Sequence, residues 1–170
     1  MKKALIVIDM QNDYLWEKRK PMFSYDTPAL TGAVNRAVKE YSEKGWDVIY
    51  ILQLFPDLPT NRWIIGFSIK NTEGAELYGG LDVVSEHIFE KNLPDSFSSK
   101  AFRDFVKAQG YTEAVLCGLD ECGCVGATAR GAVKAGIPVS IIAEATGRRF
   151  PETKVEKNRQ KLKALGVRFI

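Results

Sequence analysis

The feature that most constrains this chain is a recurring alternation of short apolar runs with segments of helical period. Residues 4–8 form an unbroken apolar run rich in β-branched side chains, which suits a strand buried on both faces. Thr27 then reads as an N-cap with Pro28 at the first helical position, and Leu30, Val34, Ala37, Val38 and Tyr41 follow at helical spacing before Gly45. A helix over residues 28–44 therefore returns the chain to a second strand over 47–52. Later segments keep the same rhythm. Strands are predicted over 86–90, 114–117, 138–143 and 167–170, and helices over 98–109, 123–135 and 151–165, with Gly110, Gly136 and Gly166 as stops. Strand alternating with helix is the signature of right-handed parallel βαβ units, hence an α/β fold of three layers, Rossmann-like in plan.

No internal repeat, low-complexity tract or linker interrupts this pattern, so residues 1–170 read as a single domain. The irregular part is 53–85, where Pro56, Pro59, Gly66, Gly74, Gly79 and Gly80 break any period. A connection of that length inside a compact fold is usually functional. With 45% hydrophobic and 26% charged residues, disorder and coiled coil are excluded as descriptions of the whole chain. The net charge of +3 is spread from Lys2 to Arg168, which argues against a nucleic acid or an anionic membrane surface as partner. Cys117, Cys122 and Cys124 are too close and too odd in number for a disulfide framework, and point to a reducing compartment. The opening apolar run reaches Asp9 too soon for a signal peptide or a membrane span, so a cytoplasmic location is expected.

In open α/β sheets, ligands bind beyond the carboxyl ends of the strands. That rule selects Asp9 and Gln11 after the first strand, Gln53 after the second, Lys91 after the third, and 118–124 after the fourth. An acid, a cation and a thiol at neighbouring strand ends could serve nucleophilic catalysis by cysteine. A free thiol is mostly neutral at pH 7, so a nucleophilic cysteine needs a base, a cation or a helix N-terminus to favour the thiolate. Cys124 is placed in the first turn of its helix, Lys91 supplies positive charge, and Asp9 can take the thiol proton. Two conditions follow: the carboxylate and ammonium must touch the sulfur, and the sulfur must be more acidic than ordinary cysteine. Each residue alone also has a plain reading: a small buried hydrophobe, a turn aspartate, a solvated lysine. Cys117, inside a strand, reads as core.

These residues resemble a known family. Asp9-Met-Gln-Asn-Asp-Tyr14 after the opening strand looks like the Asp-x-Gln-Asn-Asp-Phe signature of the isochorismatase-like cysteine hydrolases, which include nicotinamidases and N-carbamoylsarcosine amidases. Lys91 with Asp95-Ser-Phe97, the block from Gly118 through Cys124-Val125 to Thr128-Ala129, and Glu144-Ala145-Thr146 are similar to later motifs in the same order. The resemblance implies a six-stranded parallel sheet ordered 3-2-1-4-5-6 and an Asp9–Lys91–Cys124 triad. It further implies a cis peptide at Leu119–Asp120, and an oxyanion hole from the Asp120 and Cys124 N–H groups. The implied reaction is hydrolysis of a small amide or related acyl C–N bond through a Cys124 thioester.

Departures from the pattern narrow the reading. Zinc-binding nicotinamidases carry Asp-x-His after the second strand, whereas this chain has Gln53-Leu54-Phe55 there and one histidine, His87, in all. No catalytic metal and no cofactor are expected, and nicotinamide is disfavoured as substrate. Isochorismate is disfavoured too, because enzymes cleaving its vinyl ether generally lack the cysteine. Candidates for the wall of a small-molecule pocket are Gln11, Tyr14, Trp16, Gln53, Phe55, Trp63, Phe67 and Phe97. Leu54, Leu58, Trp63, Ile64 and Ile65 would form an apolar patch on a monomer, so a homo-oligomer, dimer or tetramer, is expected. Two alternatives stay open: a thiol redox or regulatory protein using Cys122 and Cys124, and a non-catalytic small-molecule-binding protein on the same fold.

Overall fold

The computed structural model describes residues 1–170. Six parallel strands, β1 (Lys3–Ile8), β2 (Asp47–Gln53), β3 (Ile88–Lys91), β4 (Glu113–Gly118), β5 (Val139–Thr146) and β6 (Arg168–Phe169), form one sheet in the order β3-β2-β1-β4-β5-β6. This is the order that the motif resemblance implied. The helices are α1 (Asn12–Leu15), α2 (Thr27–Glu43), α3 (Pro59–Ile64), α4 (Lys100–Gln109), α5 (Cys124–Lys134) and α6 (Glu152–Ala164).

Successive side chains of a strand point to opposite faces, and the core divides accordingly. On one face Leu5, Val7, Val48, Tyr50 and Val115 pack against Leu30, Val34 and Val38 of α2. On the other, Ile6, Ile8, Ile49, Ile51 and Leu116 pack against Phe102 of α4, Val125 and Ala129 of α5, and Leu162 of α6. Both faces of the central strands are thus covered, which is why they read as continuous apolar runs. The connection after β1 runs to the α2 face and that after β4 to the α5 face. Their divergence opens a crevice between neighbouring strand ends.

Several local expectations need correction. The cap of α2 is Asp26, whose side chain accepts from Ala29 N at 3.1 Å; Thr27 instead donates to the Leu15 carbonyl. The third strand starts at Ile88 rather than 86, leaving His87 just outside it and making Lys91 its last residue. Helix α4 starts at Lys100, preceded by a 3₁₀ turn over Ser96–Ser98. The irregular stretch contains α3 and a 3₁₀ turn over Glu73–Ala75, both too short for a periodicity argument. None of the residues of α3 is buried. Of the five residues expected to make an apolar patch, Leu58, Trp63 and Ile64 are exposed, and Leu54 and Ile65 are half-buried. No helix is long and apolar enough to cross a membrane.

Candidate active site

Three adjacent parallel strands end in register, and this brings distant residues together. Gln53 pairs with Lys91 across β2 and β3, and Asp9 follows the last residue of β1. Asp9 adopts φ 54°, a left-handed conformation that a non-glycine residue holds only when its surroundings enforce it. Its N–H donates to Ile51 O at 2.9 Å. On the other side of β1, β4 ends at Gly118, where a Cβ would lie 2.1 Å from Ile8 O; only glycine lets the two backbones approach so closely. The chain then passes the Leu119–Asp120 peptide, which is cis, and reaches Cys124, the first residue of α5.

The Lys91 ammonium joins these elements. Its Nζ donates to Gln53 Oε1 at 2.6 Å, Asp9 Oδ2 at 3.0 Å and Cys124 Sγ at 3.3 Å. The Lys91 side chain has no solvent exposure and that of Asp9 has 4%. Asp9 Oδ1 is buried without a well-formed hydrogen bond, although the adjacent Cys124 thiol still favours the carboxylate. Carboxylate, ammonium and sulfur therefore meet, as the first of the two conditions required.

Burial works against the second condition. Burial pushes the Cys124 thiol up to about 12, with the Asp9 charge adding to the rise and Lys91 opposing it. Burial likewise raises the Asp9 carboxyl, against the pull of Lys91 and its hydrogen bonds. Burial thus favours the neutral thiol beside the Asp9–Lys91 pair. Lys91, by its charge and its hydrogen bond, is the group that opposes this loss of water around the sulfur.

Supporting contacts fix the loop that carries Cys124. The Asp120 carboxylate accepts from Cys122 N at 2.9 Å, Tyr25 Oη at 3.1 Å and Arg149 N at 3.1 Å. Glu121, fully buried, takes both hydrogen bonds of the Arg159 fork from α6. Ser96 and Thr128 join the 3₁₀ turn after β3 to α5. The N–H groups of Asp120 and Cys124 have no acceptor within the protein. Cys117, Cys122 and Cys124 are all free thiols.

Above the sulfur lies a cavity of about 320 Å³ lined by Asp9, Gln53, Asp120 and Cys124 with Tyr14, Phe23, Tyr25, Phe55, Phe67 and Arg149 among its walls. Tyr14, Phe23 and Phe67 pack edge to face with centroids 4.8–5.9 Å apart. Of the pocket candidates read from the sequence, Tyr14, Gln53, Phe55 and Phe67 line this cavity. Four others do not. Gln11 is a buried brace, accepting from Gln53 N and donating to Gln53 O and Ala75 O. Trp16 faces a separate surface groove with Arg62 and Thr72. Trp63 is 88% exposed. Phe97 packs in the core against Phe102. Sequence reasoning missed Met22, Phe23, Tyr25, Asn92 and Arg149 as cavity residues. Arg149 had a signal, because it lies just beyond the carboxyl end of β5.

Zinc does not fit this donor set. Gln53 directs its oxygen to Lys91, Phe55 is a wall of the cavity, and no three His, Cys, Asp or Glu side chains cluster in a way that could hold a metal ion.

The comparisons agree with this architecture. A probable inactive nicotinamidase from Arabidopsis thaliana is 29% identical over 162 residues, 88% of this chain and 82% of that protein. The nicotinamidase of Bacillus subtilis is 26% identical, with a TM-score of 0.81 over 99% of this chain and 98% of that one. The fold is also that of the zinc-complexed pyrazinamidase of Pyrococcus horikoshii, at 23% identity and TM-score 0.85 over 100% of this chain and 99% of that one. A family model, described as the isochorismatase domain, matches residues 3–170, and with this sheet order it shows that the chain belongs to the isochorismatase family and carries its hydrolase fold.

Proposed function

We propose that this protein is a cysteine hydrolase that cleaves the C–N bond of a small amide, with Cys124 as nucleophile, Asp9 as proton acceptor and donor, and Lys91 as their electrostatic anchor. The observation that carries this reading is the three-way contact of Lys91 Nζ with Asp9 and Cys124 Sγ on the floor of an aromatic cavity. Because the resting thiol is neutral, its proton passes to Asp9 as sulfur attacks the carbonyl carbon; a standing thiolate is not required. Lys91 stabilises the sulfur as negative charge develops.

The carbonyl oxygen, negative in the tetrahedral intermediate, is received by the Asp120 and Cys124 N–H groups, which have no other acceptor in the protein. Losing one such donor costs about two to three orders of magnitude in rate. Asp9 returns the proton to the departing nitrogen as the C–N bond breaks, leaving an acyl thioester on Cys124. Water then attacks the thioester, Asp9 accepting the water proton and passing it to the leaving sulfur. The products are a carboxylic acid and ammonia or an amine.

The test is ammonia release from a panel of small primary amides by wild type and Cys124→Ala. Turnover by wild type, with Cys124→Ala at background and a retained circular-dichroism spectrum, supports the reading. Equal release by both proteins overturns it, and no release by either leaves the non-catalytic binding role. A Cys122–Cys124 disulfide found by peptide mapping after mild peroxide would instead favour the redox role.

A further inference from the structure

Tyr14 stands where the Asp-x-Gln-Asn-Asp-Phe signature has phenylalanine, so this chain carries an additional hydroxyl in the wall of the cavity. The residue is only 8% exposed, and its Oη accepts a hydrogen bond from Ser68 Oγ at 2.8 Å. The phenol proton itself has no acceptor in the protein. A buried donor without a partner is costly, and its presence in a native fold calls for a reason. Because Tyr14 lines the cavity, a bound molecule can supply the missing acceptor.

Ser68 holds the phenol in this state. It is wholly buried and adopts φ 51°, a left-handed conformation that a serine keeps only under constraint from its neighbours. Its N–H donates to Asp13 Oδ2 at 2.7 Å, and its carbonyl accepts from Phe55 N at 2.7 Å. With the backbone pinned on both sides, the Ser68 hydroxyl occupies one lone pair of Tyr14 Oη and turns the phenol proton away from itself.

Charge decides which acceptor suits that proton. Burial pushes the Tyr14 phenol well above its ordinary range, and the negative charges of Asp9 and Asp13 add to the rise, so the group stays a donor. The same charges disfavour an anion beside the hydroxyl, and an ammonium has no lone pair to offer. A neutral oxygen or nitrogen meets both constraints.

We infer that the substrate is a small amide whose body carries a neutral hydrogen-bond acceptor, and that the Tyr14 hydroxyl, set by Ser68, selects it over amides with a hydrocarbon group at that position. This rests on the amide-hydrolase reading for the scissile end, whereas the acceptor subsite stands on Tyr14 and Ser68. An analogue without the acceptor leaves the phenol proton unpaired in the complex, which makes the preference about tenfold or more.

The experiment uses matched pairs in which an oxygen acceptor replaces a carbon group of similar size at different distances from the carboxamide: methoxyacetamide with butanamide, 4-oxopentanamide with 4-methylpentanamide, and 3-methoxybenzamide with 3-ethylbenzamide. Each pair is assayed with wild type, Tyr14→Phe and Ser68→Ala. Wild type should favour the oxygen-bearing member of at least one pair by about tenfold or more in kcat/KM. Tyr14→Phe, which removes one oxygen and keeps the ring, should bring that ratio to within about threefold of unity, and Ser68→Ala should lower it part of the way. A merely structural loss scales both members of a pair alike and leaves the ratio where it was. A binding arm reads the subsite without turnover: calorimetric affinities of Cys124→Ala for the same pairs should show the same preference, lost when Tyr14→Phe is added. Equal kcat/KM within every pair, or a preference unmoved by Tyr14→Phe, overturns the acceptor subsite and leaves the amidase reading intact. If no amide is hydrolysed but binding shows a Tyr14-dependent preference, the reaction assignment fails and the subsite stands. Absence of both turnover and a Tyr14-dependent difference in affinity overturns both.

Discussion

Glu121 and Arg159 form a bidentate ion pair, 2.6 and 2.8 Å, that ties α6 to the loop between Asp120 and Cys124. The Glu121 side chain is wholly buried and Arg159 is 19% exposed, so water does little to replace the contact if one partner is lost. Breaking a buried pair from one side leaves an uncompensated polar group. Asn158 of α6 also donates to the Glu121 carbonyl, so the loop is held by side chain and backbone together.

Arg159→Met should therefore destabilise the fold by about 3 kcal/mol, a value set by the stranded Glu121 charge. Glu121→Gln, which keeps one acceptor and removes the charge, should cost less. Urea unfolding midpoints at neutral pH check the order. A midpoint for Arg159→Met equal to that of wild type would show that the pair contributes nothing.

The Cys124 thiol, pushed up to about 12 by burial, should react like a suppressed thiol rather than an activated one. Alkylation by iodoacetamide, followed at the Cys124 peptide by mass spectrometry, should rise about tenfold per pH unit from neutrality with no plateau below about pH 10. A plateau near pH 7 would mean that Lys91 and the N-terminus of α5 outweigh burial.

Gln53 presents a neutral oxygen to Lys91, 2.6 Å away, where a carboxylate would draw the ammonium from the sulfur. Gln53→Glu should add negative charge beside Cys124, raising the thiol further and lowering both the alkylation rate and kcat by about tenfold, the effect of about one pKa unit. Stopped-time alkylation and steady-state rates on the best amide of the panel measure the two effects separately.

The buried Asp9 carboxyl is raised from its ordinary value of 3.8, with burial as the main cause. It binds its proton more tightly folded than unfolded. Its contribution to stability is therefore largest when protonated and declines as pH rises from 3.8 through the higher folded value. The stability of wild type minus that of Asp9→Asn should fall across that window and level off above it, as read from urea midpoints at successive pH values. A difference that grows with pH there would give the shift the opposite sign.

Gly118 and Gly136 both have positive φ, 104° and 77°, but a Cβ at Gly118 would lie 2.1 Å from Ile8 O whereas at Gly136 it meets nothing within 4 Å. Gly136→Ala should cost about 1 kcal/mol for the left-handed backbone alone. Gly118→Ala must also force β1 from β4, so it should cost at least about 3 kcal/mol or prevent folding. Thermal melts of the two variants test the contrast.

The apolar runs of β1, β2 and β4 and the periodic faces of α2 and α5 were legible because both derive from local repeats of two and 3.6 residues. The strand-end rule then selected Asp9, Gln53, Lys91 and Cys124, and these four do converge. Short elements were not legible. Four-residue α1 and six-residue α3 hold too few turns to show a period, and the start of β3 was displaced by two residues for want of a clear apolar boundary.

What the linear chain determined was the order of its elements and the chemical types present at the ends of its strands, since each depends on residues near one another in sequence. Tertiary structure decided which way side chains point and what surrounds them. It turned Gln11 into a brace, Phe97 into core and Trp63 outward, and brought Phe23, Tyr25 and Arg149 to the cavity from segments with no periodic signal. It also decided the charge on sulfur. The identity of Cys124 and its place at a helix N-terminus argued for a thiolate, but the free energy of that ion depends on how much water the whole fold excludes, and here burial pushes the thiol upward.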